Sequence, residues 1–323
     1  MIKQALIGLT AAALLAGCGG EDKAQAPAAK AADGTKTVGL VQLVEHPALD
    51  AASRGIQDAV KARGLKVTFD VQNAQADQSN LANIAQRFVS QEYPLIFAVA
   101  TPAAQTMANA AKNTPIVATA VTDYEAAKLV INKDKPGTNV TGSSDLNPIG
   151  AQLDLIMQFV PNAKTIGTIY NSSEINSQFQ VEILKKELVR YNVTLVEGTV
   201  SSVNDVQQVA QGLIGKIDAL YVPTDNTAAN NAELIGNTSL DTGTPIIAGE
   251  EGICKGCGVA TLTISYYDIG YKTGEMAYDI LVNGADPATM PIEYAPQFTP
   301  KYNPTMCEAL GLTPPDGYEA IAE

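Results

Sequence analysis

The sequence predicts an α/β protein with two doubly wound parallel-sheet lobes joined by a multi-strand hinge. Short apolar strands alternate with single amphipathic helices, an order that favours parallel pairing with right-handed crossovers. The same alternation begins again near the middle of the chain, which is longer than one hydrophobic core usually supports. The roughly seventy C-terminal residues hold too few elements for a third domain, so we expect them to complete the first two.

The first half of the folded region is predicted to contain four strands separated by helices. The strands are the apolar segments 37–44, 66–71, 95–100 and 115–120. Apolar residues at helical spacing lie between them, and the first two stripes are Leu49, Ala52, Ile56 and Val60, then Leu81, Ile84, Ala85, Phe88 and Val89. Gly64 is expected to end the first helix, and Thr101-Pro102 to begin the third.

The pattern restarts after Gly142-Ser143-Ser144-Asp145. Strands are predicted at 165–170, 194–197, 219–222 and 245–248. Helices are predicted on the stripe Leu153, Ile156, Met157 and Val160, on the stripe Phe179, Ile183, Leu184 and Leu188, over 205–215 and from Thr227 onward. Near the C-terminus, Ile269 to Leu281 forms one helix capped by Gly284, and a short helix lies near 305–310.

These elements divide the folded region into two lobes that each draw on two parts of the chain. The N-terminal lobe is predicted to contain residues 37–142 plus about 266–288, and the C-terminal lobe residues 143–265 plus about 289–323. A chain that crosses repeatedly between two similar lobes builds a hinge. The natural binding place is then the cleft that faces the carboxyl ends of both sheets.

The first eighteen residues have the pattern of a bacterial lipoprotein signal. A short basic start, Met1-Ile2-Lys3, precedes an apolar run that is too short to span a bilayer, and small residues lead up to Cys18. We predict a signal peptide over 1–17, acylation of Cys18 and a flexible tether over 18–36, whose small and polar residues cannot form a core. The mature chain would be anchored by lipid to a bacterial membrane, in the periplasm or on the outer face of the cell.

Composition excludes several classes of function. With 34 acidic and 21 basic residues the net charge is −13, so nucleic acid is not an expected partner. A single histidine and the lack of a GxGxxG or other Gly-rich phosphate loop argue against an enzyme, a metal and a cofactor. The cysteines outside the signal, Cys254, Cys257 and Cys307, are interpreted as a structural bridge or unpaired thiols rather than a redox centre or zinc site.

The loops that follow the strands are unusually polar and supply the predicted ligand-binding residues. His46, the only histidine, follows the first strand. Thr101 is predicted as a helix N-cap that leaves the amides of Ala103 and Ala104 free for a ligand carboxylate, with simple capping as the alternative. Asp225 is predicted to bind an ammonium group, again with helix capping as the alternative. The remaining candidates are Thr122, Asp123, Asn171, Ser172, Ser173, Glu174, Asn176, Asn226 and Glu250.

Several segments, in the same order, resemble the TrpX-type ABC-transporter substrate-binding lipoproteins. They are 38–42, 45–50, 98–105, 171–177, 223–227 and 265–270. The resemblance implies the periplasmic-binding-protein type I fold and, from characterised members, an aromatic amino acid as ligand. The chain departs from the family pattern at Tyr124, where many relatives have proline, and at Cys254 and Cys257.

We therefore expect an extracytoplasmic binding protein that is not an enzyme. It would capture a small ligand, most simply an amino acid, in the cleft and deliver it to the permease subunits of an ABC transporter. We expect it to act as a monomer. The alternatives are a ligand-sensing component of a signalling receptor and an enzyme on the same scaffold, because a fold alone does not determine function.

Overall fold

The computed structural model describes residues 34–322. The predicted signal peptide, Cys18 and most of the predicted tether lie outside the described residues. Within 34–322, no helix combines the length and the apolar character needed to cross a membrane.

The first part of the chain alternates strand and helix in the predicted way. Its elements are β1 (Lys36–Gln42), α1 (Pro47–Ala62), β2 (Val67–Asn73), α2 (Gln78–Ser90), β3 (Ile96–Val99), α3 (Thr101–Ala110), β4 (Ile116–Val121) and β5 (Val140–Ser144). The strands β3, β4 and β5 are buried along their whole length, as expected for strands of a parallel sheet covered on both faces.

The second part repeats this order. Its elements are α4 (Ile149–Phe159), β6 (Thr165–Asn171), α5 (Ile175–Leu188), β7 (Thr194–Val200), α6 (Val206–Leu213), β8 (Ala219–Val222), α7 (Asn226–Ala229), α8 (Ala232–Thr242), β9 (Ile246–Ala248), α9 (Glu251–Cys257) and β10 (Ala260–Thr263). The last part contains α10 (Tyr266–Leu281), β11 (Glu293–Tyr294), β12 (Thr299–Tyr302), α11 (Pro304–Leu310) and β13 (Glu319–Ala320).

The strands form two sheets, one in each lobe. The first has the order β11-β5-β4-β3-β1-β2 and the second β13-β12-β10-β9-β8-β6-β7. Among the described strands every pairing is parallel except β10 with β12. The chain changes sheet within 145–148, 264–265 and 295–298, so three segments join the lobes. The predicted α/β class with two lobes and a multi-strand hinge is confirmed.

The changes of sheet come a few residues later than the predicted lobe boundaries at 142 and 288. β5 continues to Ser144, and the two-residue strand β11 pairs with it at the edge of the first sheet. Such a short strand has no apolar period of its own, so only its pairing with β5 reveals which lobe it completes.

The helix α10 returns the chain to the first lobe and packs closely on α1. Glycines make this approach possible. A Cβ atom on Gly55 would collide with the backbone oxygen of Tyr267, and a Cβ atom on Gly270 would collide with that of Ala52. The close packing fixes the start of α10, and therefore Tyr266, beside the cleft.

Candidate functional site

A small cavity lies between the lobes at the carboxyl ends of both sheets. The first lobe contributes His46, Leu49 and Ala120, the second contributes Asn176, Thr224, Asp225, Asn226, Ala229, Glu250 and Ile253, and the hinge contributes Asp145 and Tyr266. The cavity lies where the strand-end argument predicts a cleft.

His46 and Asn226 meet across the cleft. His46 precedes α1 in the first lobe, and its Nε2 lies 3.5 Å from Oδ1 of Asn226 at the start of α7 in the second lobe. The imidazole does not cap α1, and its Nδ1 is buried without a hydrogen-bond partner in the described part of the chain. Burial lowers the pKa of His46, because the charged ring would lose its hydration.

Two carboxylates lie at the hinge end of the cavity. Asp145 accepts hydrogen bonds from the hydroxyls of Thr122 at 2.9 Å and Tyr266 at 3.0 Å, and burial raises its pKa to about 6. Glu250 accepts from the backbone amides of Gly252 and Ile253 at the start of α9, and burial raises its pKa to about 7. No lysine or arginine among residues 34–322 forms an ion pair with either of them.

Asp225 also borders the cavity, but its carboxylate is already occupied. Oδ1 accepts from the amide of Ala228 and caps α7, whereas Oδ2 accepts from the amide of Asn171 and the hydroxyl of Ser177. These are short bonds of 2.6 to 2.7 Å. Burial, and then the nearby Glu174 carboxylate, raise the pKa of Asp225. This geometry is the helix cap that the sequence analysis left open as the alternative role.

Glu174 lies behind the cavity wall and connects two loops of the second lobe. Its Oε1 accepts from the amide and hydroxyl of Thr227, and its Oε2 accepts from the amide and side chain of Asn226 and from the side chain of Asn176. Asn171 supports the same junction by donating to the Thr227 hydroxyl. These contacts fix the loop after β6 against the loop after β8.

The remaining predicted residues lie outside the cavity wall. Thr122 contacts it indirectly through Asp145, and Asp123 accepts from the amide of Ala126 in a turn. Ser172 and Ser173 are exposed on the loop after β6. Among the described residues, no group of three possible ligands for a metal ion is present.

The prediction that Thr101 caps α3 was wrong. Ala100 holds the N-cap position with a φ of +87°, and Thr101 is the first residue of the helix. Its hydroxyl is buried and has no hydrogen-bond partner within 34–322. The amide of Ala100 still pairs with the backbone oxygen of Thr119 in the sheet. The helix begins directly after this pairing, one residue earlier than the Thr-Pro motif suggests. Ala103 is buried in the first turn of the same helix.

Sequence analysis missed Asp145 and Tyr266. Asp145 directly follows β5, so the strand-end argument applies to it, but the sequence analysis used Gly142–Asp145 only as a boundary between lobes. Tyr266 belongs to the segment 265–270 that carries the family resemblance. Nothing in its local sequence indicates that its hydroxyl reaches a carboxylate in another part of the chain.

The three cysteines within the described residues, Cys254, Cys257 and Cys307, are free and buried in the second lobe. Burial raises the pKa of Cys254, Cys257 and Cys307, to about 11 for Cys307. A thiol with a raised pKa forms little of the reactive thiolate, so this arrangement is that of unpaired structural thiols.

A family model described as ABC transporter substrate binding protein matches residues 37–322. The chain belongs to this family. The resemblance given by the sequence motifs is therefore confirmed, and the family consists of binding proteins rather than enzymes.

Relatives with a stated ligand are also similar to this chain. A tyrosine-binding protein from Clostridioides difficile is 41% identical over 283 residues, which are 85% of this chain and 82% of the relative. The crystal structure of an ABC domain in complex with L-Trp from Streptococcus pneumoniae is 35% identical, with a TM-score of 0.84, and the match covers 88% of this chain and 100% of that one. This similarity confirms the type I periplasmic-binding-protein fold.

A third similar structure has no ligand. The ligand-free, open structure of a Clostridium difficile substrate binding protein with adhesive properties is 41% identical, covers 89% of this chain and 99% of its own, and has a TM-score of 0.68. The L-Trp complex superposes with the higher TM-score of 0.84. In the chain described here, His46 and Asn226 bring the two lobes into contact across the cleft.

Proposed function

We propose that this protein binds an aromatic amino acid in the cavity between its lobes and delivers it to the permease of an ABC transporter. The observation that carries the proposal is that three buried carboxylates, Asp145, Asp225 and Glu250, line one cavity and that no lysine or arginine of the described chain lines it. A ligand ammonium would supply the missing positive charge. Charge-assisted hydrogen bonds of this kind are among the strong ones in proteins.

The ammonium partner is therefore proposed to be the Asp145–Glu250 pair rather than Asp225. The hydroxyls of Thr122 and Tyr266 hold Asp145 in place and leave part of its carboxylate free to accept from the ligand. Three donors from its own lobe occupy Asp225, whereas Asp145 and Glu250 each accept from two. A carboxylate that is already bound by three donors has less capacity for a ligand.

We propose the start of α3 as the site of the ligand carboxylate. This ten-residue helix begins with the unpartnered hydroxyl of Thr101 and the amide of Ala103. The amide of Ala100 bonds to Thr119, so the helix begins beside Ala120, which lines the cavity. Helix N-termini bind anions through free N–H groups and the helix dipole, so the site needs no arginine or lysine.

Three further features support the proposal. Leu49, Ala120 and Ile253 give the cavity apolar walls that suit an aromatic ring. The named ligands of the two relatives, tyrosine and L-Trp, are both aromatic amino acids. The export signal and Cys18 fit a monomeric receptor that is anchored by lipid outside the cytoplasm, where an importer collects its substrate.

A thermal-shift screen of the mature chain against amino acids, sugars and nucleosides tests the proposed ligand class. A ligand at one hundred times its dissociation constant adds about 2.7 kcal/mol to the free energy of unfolding. We expect this stabilisation with tyrosine or tryptophan. Stabilisation by a sugar or a nucleoside, with none by any amino acid, would contradict the proposal.

A further inference from the structure

Glu174 fixes the side chains of two asparagines, Asn176 and Asn226. The backbone amide of Asn226 donates to Oε2, and that of Thr227 donates to Oε1. Backbone amides only donate, so both oxygens of Glu174 act as acceptors. A side-chain amide that contacts this carboxylate must therefore present its nitrogen to it.

This constraint determines the orientation of Asn226 and the tautomer of His46. Nδ2 of Asn226 donates to Glu174 at 2.6 Å, so its Oδ1 is the atom that faces Nε2 of His46 at 3.5 Å. An amide oxygen only accepts, so Nε2 carries the proton. Burial lowers the pKa of His46, which keeps the ring neutral. Nδ1 is then an unprotonated acceptor, buried and without a partner in the described chain.

Asn176 is constrained in the same way. Its Nδ2 lies 3.1 Å from Oε2 of Glu174, 3.2 Å from the Ser177 hydroxyl and 3.0 Å from the backbone oxygen of Thr224. Its Oδ1 is left as an acceptor that is buried and unpartnered within 34–322. Asn176 and His46 both line the cavity, and they belong to different lobes.

The two acceptors and the carboxylate pair follow different strands of the sheets. In the first sheet His46 follows β1, which is three strands from β5 and Asp145. In the second sheet Asn176 follows β6, which is two strands from β9 and Glu250. The cavity therefore presents the carboxylate pair and the two acceptors from separate strand ends, as a ligand with polar groups at both ends requires.

We infer that Asn176 Oδ1 and His46 Nδ1 are specificity-determining acceptors for a hydrogen-bond donor on the ligand's side chain. This inference rests on the proposed function and specifies its substrate class further. Amino acids whose ring carries an O–H or N–H, a phenol or an indole, bind in preference to those without one. Phenylalanine leaves both acceptors buried and unpaired, whereas a ring O–H or N–H pairs one of them.

The test compares two pairs of ligands that differ by one donor, which are tyrosine with phenylalanine and tryptophan with 1-methyltryptophan. Calorimetric titration of the wild-type chain gives the ratio of dissociation constants in each pair. We expect the donor-bearing ligand to bind at least about tenfold more tightly in one pair. A ratio near one in both pairs would overturn the inference but leave amino-acid binding intact. If no amino acid binds at all, both the proposed function and this inference fail.

Asn176→Leu removes the acceptor, and Gln180→Leu is the matched control. Gln180 is a buried amide on the same helix and holds the same residue, Thr224, but it does not line the cavity. Structural damage weakens both members of a ligand pair equally. We therefore expect Asn176→Leu to reduce the ratio about tenfold and Gln180→Leu to leave it unchanged. An unchanged ratio in a folded Asn176→Leu protein would contradict the inference.

A second measurement does not depend on a variant. The chain contains one histidine, so the imidazole ¹⁵N spectrum of an untagged sample reports on His46 alone. We expect the tautomer with the proton on Nε2, and a change in the Nδ1 signal when a donor-bearing ligand binds. A proton on Nδ1 in the free protein would remove His46 as an acceptor and overturn the inference.

Discussion

The hydroxyl of Tyr266 donates to Oδ2 of Asp145 at 3.0 Å, although the two residues are 121 positions apart in the chain. Asp145 begins the first segment that crosses between the lobes, and Tyr266 follows the second. Asp145, one of the carboxylates that line the cavity, is therefore held by a hydrogen bond between two segments of the hinge.

Tyr266→Phe should weaken amino-acid binding about tenfold, because Asp145 loses one of the two hydroxyls that orient it. Calorimetry measures the effect. Tyr267→Phe is the control, since its hydroxyl contacts Asp58 on the exposed surface and not the cavity carboxylates. Equal losses in both variants would contradict a specific role for Tyr266.

Asp145→Asn should reduce affinity by roughly 2 kcal/mol or more, which is about thirtyfold, because the ligand ammonium would be enclosed without its counter-charge. Asp123→Asn removes a nearby carboxylate that only stabilises a turn, and it should leave affinity unchanged. Titration of both variants with tyrosine and tryptophan distinguishes the two positions. Full affinity in Asp145→Asn would leave Glu250 as the sole ammonium partner.

Asp225→Asn should mainly lower stability. In the wild-type chain the amide of Asn171 and the hydroxyl of Ser177 donate to the carboxylate. The NH₂ group of asparagine would face these donors and could not accept from them. We expect a loss of about 1 to 3 kcal/mol in the free energy of unfolding of the ligand-free protein, measured by denaturant titration. A stable variant with selectively lost amino-acid affinity would return the ammonium site to Asp225.

Ligand affinity should rise with pH between about 5 and 8. Burial raises the pKa of Asp145 to about 6 and of Glu250 to about 7, so at low pH the ligand-free site is protonated and ammonium binding must expel a proton. The slope should approach tenfold per pH unit for each proton released. Calorimetry in buffers of different ionisation enthalpy counts these protons, and Glu250→Gln should reduce the count.

The same raised pKa values have the opposite effect on the stability of the ligand-free protein. A buried carboxyl group with a raised pKa stabilises the fold at low pH, and this contribution is lost as pH rises from about 4 toward 7. Burial lowers the pKa of His46, so the protein loses the stability that the neutral ring contributes as the pH falls below about 6.5. Because these effects on stability oppose each other, the pH dependence should be measured on ligand affinity. An affinity that does not change with pH would contradict the assignment of Asp145 and Glu250 as the ammonium partners.

Cys18→Ser should release the protein from membranes without changing ligand affinity, because the tether and the cavity are separate parts of the chain. Cell fractionation and titration of the released protein measure the two effects. A serine variant that remains in the membrane fraction would show that the anchor is not the lipid on Cys18.

The sequence by itself predicted the elements of the fold and several residues that line the cavity between the lobes. Apolar periodicity is a local property, and it gave β1, α1, β3 and α10 to within a few residues. The rule that ligands bind at the carboxyl ends of parallel strands then directed attention to His46, Asn176, Asn226 and Glu250, all of which line the cavity.

Only the tertiary structure decided which carboxylates are free for a ligand. Asp225 and Asp145 each follow a strand, but folding brings three donors to Asp225 and two to Asp145, which retains more accepting capacity. Glu174 is likewise occupied by Asn226 and Thr227, which lie 52 and 53 residues away. A carboxylate's role depends on the hydrogen-bond donors that folding brings to it, and no local pattern in the sequence encodes them.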